Sequence, residues 1–246
     1  DARVLDVTSC NSVLALMGPR SRHVLAKLTT DDVGDREFAF GQARRLSIAG
    51  APVLALRVTY VGELGWELHV PTEFAATVYD ALMVAGAEFG IANAGYRAIE
   101  TSRLEKGYRA WGSDIGPDHT PLEAGLGWAV KLKGRKPFLG RESLGRQRVA
   151  PLRKSLCTFI VDDPEIVLIG RETIYRDNER VGWLSSGGFG HTLGKAIGLG
   201  YVRRAEGVDS DWLLAGDYSL EVATERVPCR LHLATLYDPS MARVKA

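Results

Sequence analysis

The sequence predicts an α+β fold in two parts: an α/β domain over residues 1–150, then a small β-barrel over residues 151–246. Three observations lead there. The first part reads as strand, helix, two strands and more helix, which is an α+β layer rather than a βαβ repeat. After Pro151, short apolar segments alternate with Gly-Asp and Asp-Asn turn signals, the spacing of a barrel or sandwich. A chain of 246 residues with 46% hydrophobic content can also bury cores of this size.

Residues 4–8 read as the middle of a strand. The chain opens on Asp1, without an initiator Met or a signal peptide, so it is expected to be a piece whose beginning lies elsewhere. Residues 12–17 (SVLALM) are an apolar run closed by Gly-Pro, which fits a buried strand. Pro19 suits the first position of a helix running to about Leu28, with Val24, Leu25 and Leu28 on one face. Residues 38–48 and 53–60 read as two strands joined by a turn at Ala49-Gly50-Ala51-Pro52. Thr72 is the expected N-cap of a helix over residues 73–88, whose stripe is Phe74, Val78, Tyr79, Leu82 and Ala85. A second helix is expected from Tyr96 to Lys106, stopped by Gly107. Beyond residue 150, strands are expected at 155–161, 173–175, 181–184, 196–202, 218–222 and 227–233.

Several function classes fall away on composition. Lys plus Arg (31) nearly cancels Asp plus Glu (30), so the net charge of +1 gives no pull toward nucleic acid or membrane. Arg outnumbers Lys, which favours planar, bidentate contacts to anions, whether ligands or partners in salt bridges. Cys10, Cys157 and Cys229 form no CxxC pair, so neither a disulfide framework nor a thiolate zinc site is expected, and the compartment reads as reducing. No run of 18 apolar residues exists to span a bilayer. The five histidines lack metal-ligand spacing and read as surface or packing residues. The glycines from Gly187 to Gly194 lack the GxGxxG pattern and run into a strand, so no dinucleotide fold is expected in this stretch.

Three segments carry chemistry. Residues 60–67 (YVGELGWE) place two glycines and two acids between aromatics at the end of a strand, where glycine weakens strands and acids resist burial. Either this is an exposed hairpin with solvated acids, or the backbone bends to admit a flat ligand. In the second case a carboxylate accepts two parallel N–H bonds from an amidine-like edge, such as that of a pterin. Residues 93–108 form a helix dense in charge, which spacing alone reads as a solvent face laced with Arg97–Glu100 and Glu100–Arg103 pairs. Finally, Trp111 and Trp128 bracket a polar loop and offer stacking surfaces, unless they belong to the core.

Together these segments resemble the aminomethyltransferase (glycine-cleavage T-protein) family. The resemblance rests on Tyr60-x-Gly-Glu-x-Gly-x-Glu67, Arg97 followed by Arg103-Leu-Glu105, Pro121-Leu-Glu-Ala-Gly-Leu-x-Trp128, Phe138-Leu-Gly-Arg-Glu142 and Ser186-Gly-Gly-Phe-Gly-His-Thr-Leu-Gly194. It covers nearly the whole chain in order. Residues 91–100 and 105–109 look most like the C-terminal, folate-binding region of the sarcosine and dimethylglycine dehydrogenase branch.

The resemblance implies tetrahydrofolate as cofactor, with Glu67 holding the pterin, Tyr60 lining the pocket and Glu63 a second candidate. It implies that Arg97, two positions off the glycine-cleavage pattern, contacts the folate, and that Trp128 packs against it. The barrel would close one side of the pocket. The family's catalytic aspartate lies upstream of the matched stretch and has no counterpart after Asp1, so no catalytic residue is assigned. FAD would belong to an upstream or separate flavin region, which oxidises an N-methyl group that the folate captures as 5,10-methylenetetrahydrofolate. The implied compartment is the cytoplasm, or the mitochondrial matrix in a eukaryote, with no nucleic-acid or membrane partner.

Two other readings stay open. One is a stand-alone aminomethyltransferase. The other is a non-catalytic folate-binding or scaffold module, although Lys106-Gly107-Tyr108 lacks the Cys of the Lys-Gly-Cys motif in the iron–sulfur-assembly group.

Overall fold

The computed structural model describes residues 1–134 and 136–246. They form two compact units, Asp1–Ile99 with Ser240–Ala246, and Glu100–Pro239.

In the first unit the opening ten residues are exposed, with a single 3-10 turn at Thr8–Cys10. The strand expected at residues 4–8 is absent because nothing pairs with it; Asp6 instead accepts from the Thr8 amide and hydroxyl as a local turn. Strand β1 (Asn11–Met17) follows, then helix α1 (Ser21–Ala26), shorter than expected at both ends. Strands β2 (Ala43–Ile48) and β3 (Ala51–Leu56) make a tighter hairpin than the four-residue turn expected. Ala49 and Gly50 both take positive φ (50° and 80°), the two-residue geometry whose twist suits a hairpin. Pro52 therefore lies inside β3, opposite Ser47, at a non-hydrogen-bonded pair where its missing N–H costs nothing.

Strand β4 (Gly65–Pro71) completes an antiparallel sheet of order β1-β4-β3-β2. Helix α2 (Ala75–Gly86) follows a 3-10 turn at Thr72–Phe74. Thr72 does not cap it, contrary to expectation: its hydroxyl donates to the Ser9 carbonyl at 2.9 Å, a contact invisible to local spacing. One face of the sheet, with Leu16, Leu46, Val53, Ala55, Trp66, Leu68 and Val70, packs with Val24, Leu25, Val78 and Leu82 of the helices into one core.

Helix α3 (Tyr96–Glu105) crosses the division between the units and ends at Gly107, whose φ of 67° suits a left-handed stop. Helix α4 (Arg141–Val149) follows, with no buried residue. All six strands expected beyond residue 150 are present: β5 (Leu152–Val161), β6 (Thr173–Arg176), β7 (Glu179–Gly190), β8 (Lys195–Val208), β9 (Tyr218–Val222) and β10 (Glu225–His232). They close a barrel of order β10-β5-β8-β7-β6-β9, with helix α5 (Ser210–Leu214) between β8 and β9.

Phe159, Ile174, Leu184, Val202 and Leu220 fill the barrel interior. On the outer side of β5 and β8, Leu156, Ile160, Ile197, Leu199 and Tyr201 pack with Leu104 of α3. Strand β8 is thus buried on both faces, which explains its unbroken buried run from Ala196 to Val202. The glycine-rich end of β7 makes room for two neighbours, Leu104 of α3 and the backbone of residues 168–170. A Cβ on Gly188 would sit 2.9 Å from Leu104 Cδ1, and one on Gly187 would sit 2.7 Å from the Gly170 amide nitrogen.

His119 stacks on Tyr201 with ring centroids 4.5 Å apart, and burial, then the nearby Lys154, hold its imidazole below the ordinary histidine value. The folded state therefore prefers neutral His119. The stability this group contributes is intact above the ordinary histidine range and is lost as pH falls through it. His119→Gln is expected to flatten the decline in unfolding midpoint between about pH 7 and about pH 5, read from urea titrations at each pH.

Candidate ligand-binding site

The segment 60–71 is built from a loop and a strand. Gly62 takes φ 80° in the loop, and the chain then enters β4 at Gly65. Gly65 is needed there: a Cβ would meet Met17 Cγ at 2.7 Å and the Leu16 carbonyl at 2.9 Å. Along β4, alternation sends Trp66, Leu68 and Val70 into the core and gives Glu67 and His69 the opposite face. The register sets Glu67 between Ala15 of β1 and Leu56 of β3, and His69 between Val13 and Leu54. Glu67 is thus not a hairpin residue. It stands on the second strand of a sheet.

That second face is open. Val13 is 53% exposed and Leu54 36%, while the side chains of Glu67 and His69 keep 35% and 32% of theirs. The face is therefore a partly apolar floor with one carboxylate and one imidazole rising from it. Oε2 of Glu67 and Nε2 of His69 lie 3.9 Å apart, beyond hydrogen-bond reach. Nε2 is buried and without a hydrogen-bond partner among the described residues.

The other expected site residues divide. Tyr60 is half-buried in the loop leading to β4. Glu63, in the same loop, forms an ion pair with Arg243 at 3.2 Å, within the first unit. Arg97 is exposed at the start of α3. Trp128 belongs to the second unit, in a 3-10 turn at Gly127–Ala129, and is 83% exposed. Neither it nor Trp111 is a core residue. Tyr60, Glu63 and Glu67 thus share one loop and strand, and Glu67 alone among them stands on the open sheet face.

The charged helix is corrected by the structure. It is not a solvent face at its C-terminal end, where Arg103, Glu105 and Lys106 are buried. Arg103 donates to Asp114 Oδ2 at 2.5 Å, to Ser186 Oγ at 2.8 Å and to Glu100. Asp114 also accepts from the Ala110 amide (2.9 Å) and from the hydroxyls of Ser185 and Ser186 (2.5 and 2.8 Å). Glu105 Oε1 accepts from the amides of Thr192 and Leu193, at the β7–β8 turn (2.7 and 3.0 Å). These partners are satisfied by one another, which marks a structural network within the second unit.

Sequence reasoning missed this network and His69. Spacing alone could not place Asp114 or Ser186 against Arg103. For His69 a signal did exist: Glu67-x-His69 in a strand places both on one face. Cys157 and Cys229 are pushed up to about 12 by burial, so neither is a nucleophile at neutral pH. Among the described residues no group of three or more His, Cys, Asp or Glu could hold a metal ion. No helix among them is long and apolar enough to cross a membrane.

Comparison with known proteins shows the family of the chain. Residues 1–134 match the GCVT N-terminal domain, and residues 154–238 match the glycine cleavage T-protein C-terminal barrel domain. Human mitochondrial sarcosine dehydrogenase is 41% identical over 99% of this chain, and mouse mitochondrial dimethylglycine dehydrogenase is 38% identical over 82%. The chain spans 27% and 23% of those two proteins. The crystal structure of glycine cleavage system aminomethyltransferase T from Bartonella henselae superposes with a TM-score of 0.77 at 23% identity, over 93% of this chain and 60% of that one, which establishes a shared fold. The chain belongs to the aminomethyltransferase (glycine cleavage T-protein) family and is related to the sarcosine and dimethylglycine dehydrogenases.

Proposed function

We propose that this chain is the tetrahydrofolate-binding portion of an enzyme like sarcosine or dimethylglycine dehydrogenase. The observation that carries the reading is the Glu67 carboxylate, half-buried on the open face of the β1-β4-β3-β2 sheet among Ala15, Leu54 and Leu56. A flat ring laid on that floor buries its apolar faces. Its paired N–H edge meets the two carboxylate oxygens, an arrangement that is stronger than neutral hydrogen bonds and selects an amidine-like edge. The site's residue types therefore fit a pterin. We assign residues 1–150 to the folate-binding domain and 151–246 to the barrel domain.

Tetrahydrofolate, when bound, supplies the nitrogens that take up a one-carbon unit from an N-methyl amine, as 5,10-methylenetetrahydrofolate. What the chain's own residues contribute is orientation. Glu67 fixes the ring edge, Tyr60 and Trp128 are the aromatic candidates for packing, and Arg97 is the cation for a carbonyl or carboxylate of the ligand. Glu63 is the weaker carboxylate, since Arg243 already pairs with it. Orientation of this kind accelerates a reaction by prepaying entropy, and the acid or base that the chemistry also uses is not assigned to these residues. FAD, on this reading, is held by a partnering or upstream region, and the protein works in the bacterial cytoplasm or the mitochondrial matrix.

The test is a tetrahydrofolate titration by calorimetry. Glu67→Gln is expected to weaken binding about 100-fold, the loss of charge-assisted hydrogen bonds at two atoms, while Glu63→Gln changes it less than about threefold. A folded wild-type protein that binds no tetrahydrofolate would sink the reading and leave a scaffold of the same fold.

A further inference from the structure

His69 stands two residues beyond Glu67 on β4, on the same face, with Val13 and Leu54 as its cross-strand neighbours. Its Nε2 is buried and makes no hydrogen bond among the described residues, although the Glu67 carboxylate begins 3.9 Å away. A buried ring nitrogen without a partner is costly. The carboxylate next to it has lone pairs to spare: it offers about four acceptor sites, and a paired N–H edge consumes one on each oxygen. The gap of 3.9 Å exceeds a normal N–H···O separation by about 1 Å, so a modest shift of either side chain brings the imidazole within reach of the carboxylate.

We propose that His69 is the positioning residue of the Glu67 carboxylate. With the ligand bound, the Nε2–H of His69 donates to Oε2 of Glu67 and fixes the carboxylate plane, so that both oxygens face the ligand's paired N–H groups. The inference rests on the folate reading of Glu67. His69 itself does not touch the ligand. Its contribution is to remove torsional freedom from a glutamate side chain that would otherwise lose it on binding. Bound from one side by the imidazole and from the other by the ring edge, the carboxylate becomes the centre of a short polar chain on an apolar floor.

The experiment is a double-mutant cycle on the natural full-length protein, reading the Kd for tetrahydrofolate. His69→Leu is expected to weaken binding about tenfold, the scale of one hydrogen bond to a charged group. His69→Gln, whose amide N–H reaches the same oxygen, is expected to restore most of that loss. In the Glu67→Gln background, His69→Leu is expected to add less than about twofold, because the group it positions is already altered. Losses that multiply, or no recovery with Gln, overturn the proposal, since a packing role would give both. Should the Leu variant fail to fold by circular dichroism, the contrast of His69→Gln with the shorter His69→Asn decides. Gln binding like wild type and Asn about tenfold weaker supports positioning; equal affinities overturn it. Wild-type affinity in Glu67→Gln alone defeats the folate reading, and this inference with it. Loss in Glu67→Gln with independent behaviour at His69 defeats this inference only.

Discussion

Asp114→Ala is expected to lower the free energy of unfolding by about 3–5 kcal/mol, the cost of stranding one member of a buried ion pair. Arg103 and Asp114 are both fully buried, and Asp114 is the hub on which four donors converge: Arg103, the Ala110 amide, and the hydroxyls of Ser185 and Ser186. Truncation leaves the Arg103 guanidinium with Glu100, Ser186 and the Tyr108 carbonyl, and leaves a barrel hydroxyl and a loop amide without their acceptor. Urea unfolding followed by circular dichroism measures the effect. A loss below about 1 kcal/mol would mean that water reaches the network and compensates the charge, as at surface pairs.

Trp66→Ala is expected to cost a similar amount, about 3–5 kcal/mol, through a different mechanism. Trp66 is fully buried, beside Phe38 at 6.3 Å between ring centroids, with the Arg57 guanidinium 5.9 Å from its ring. It also sits between Gly65 and Glu67, so the cavity it leaves lies directly beneath the open face of β4. The variant should therefore weaken tetrahydrofolate binding as well, although it never meets the ligand. Trp66→Phe, which keeps most of the volume, separates the two consequences: stability falls by about 1–2 kcal/mol while binding is retained. Thermal melts with and without ligand read both quantities. Equal ligand affinity in Trp66→Ala would show that the sheet face is held by its backbone ladder alone.

Much of this architecture was legible in the chain because it rests on local alternation. The six barrel strands, β1, and the stop of α3 at Gly107 all follow from apolar spacing and turn residues. What could not be read depends on distant partners. Thr72 carries every mark of an N-cap, yet the carbonyl of Ser9, 63 positions earlier, takes its hydroxyl. The Arg103 side chain has the spacing of a surface pair with Glu100, but Ser186, 83 residues away, and Asp114 draw it into the interior. At the candidate site, the cost of acids in a strand marks residues 60–67 as a segment, and only the family resemblance picks Glu67 among its acids. His69 carries no metal-ligand spacing, and its place beside an acid on one strand face emerges only once residues 65–71 are known to be a strand.

The double burial of β8 has a consequence for folding order. Leu104 leaves the ribosome some 90 residues before Ile197 and Leu199, which cover it, have been made, a separation that follows from their positions in the chain. Until then only Leu156 and Ile160 of its apolar bed have been made, and Ser186 and the Thr192 and Leu193 amides that pair with Arg103 and Glu105 also come late. Once the barrel closes, Leu104 covers its outer stripe of Leu156, Ile160, Ile197 and Leu199 together with Leu193 and Leu236. A barrel released from the helix would present that stripe as a flat, sticky patch, the kind of surface that drives association between chains. Leu104 covers part of that stripe in the room that Gly188 of β7 leaves for it, so one helix side chain and one missing side chain together keep the patch from solvent.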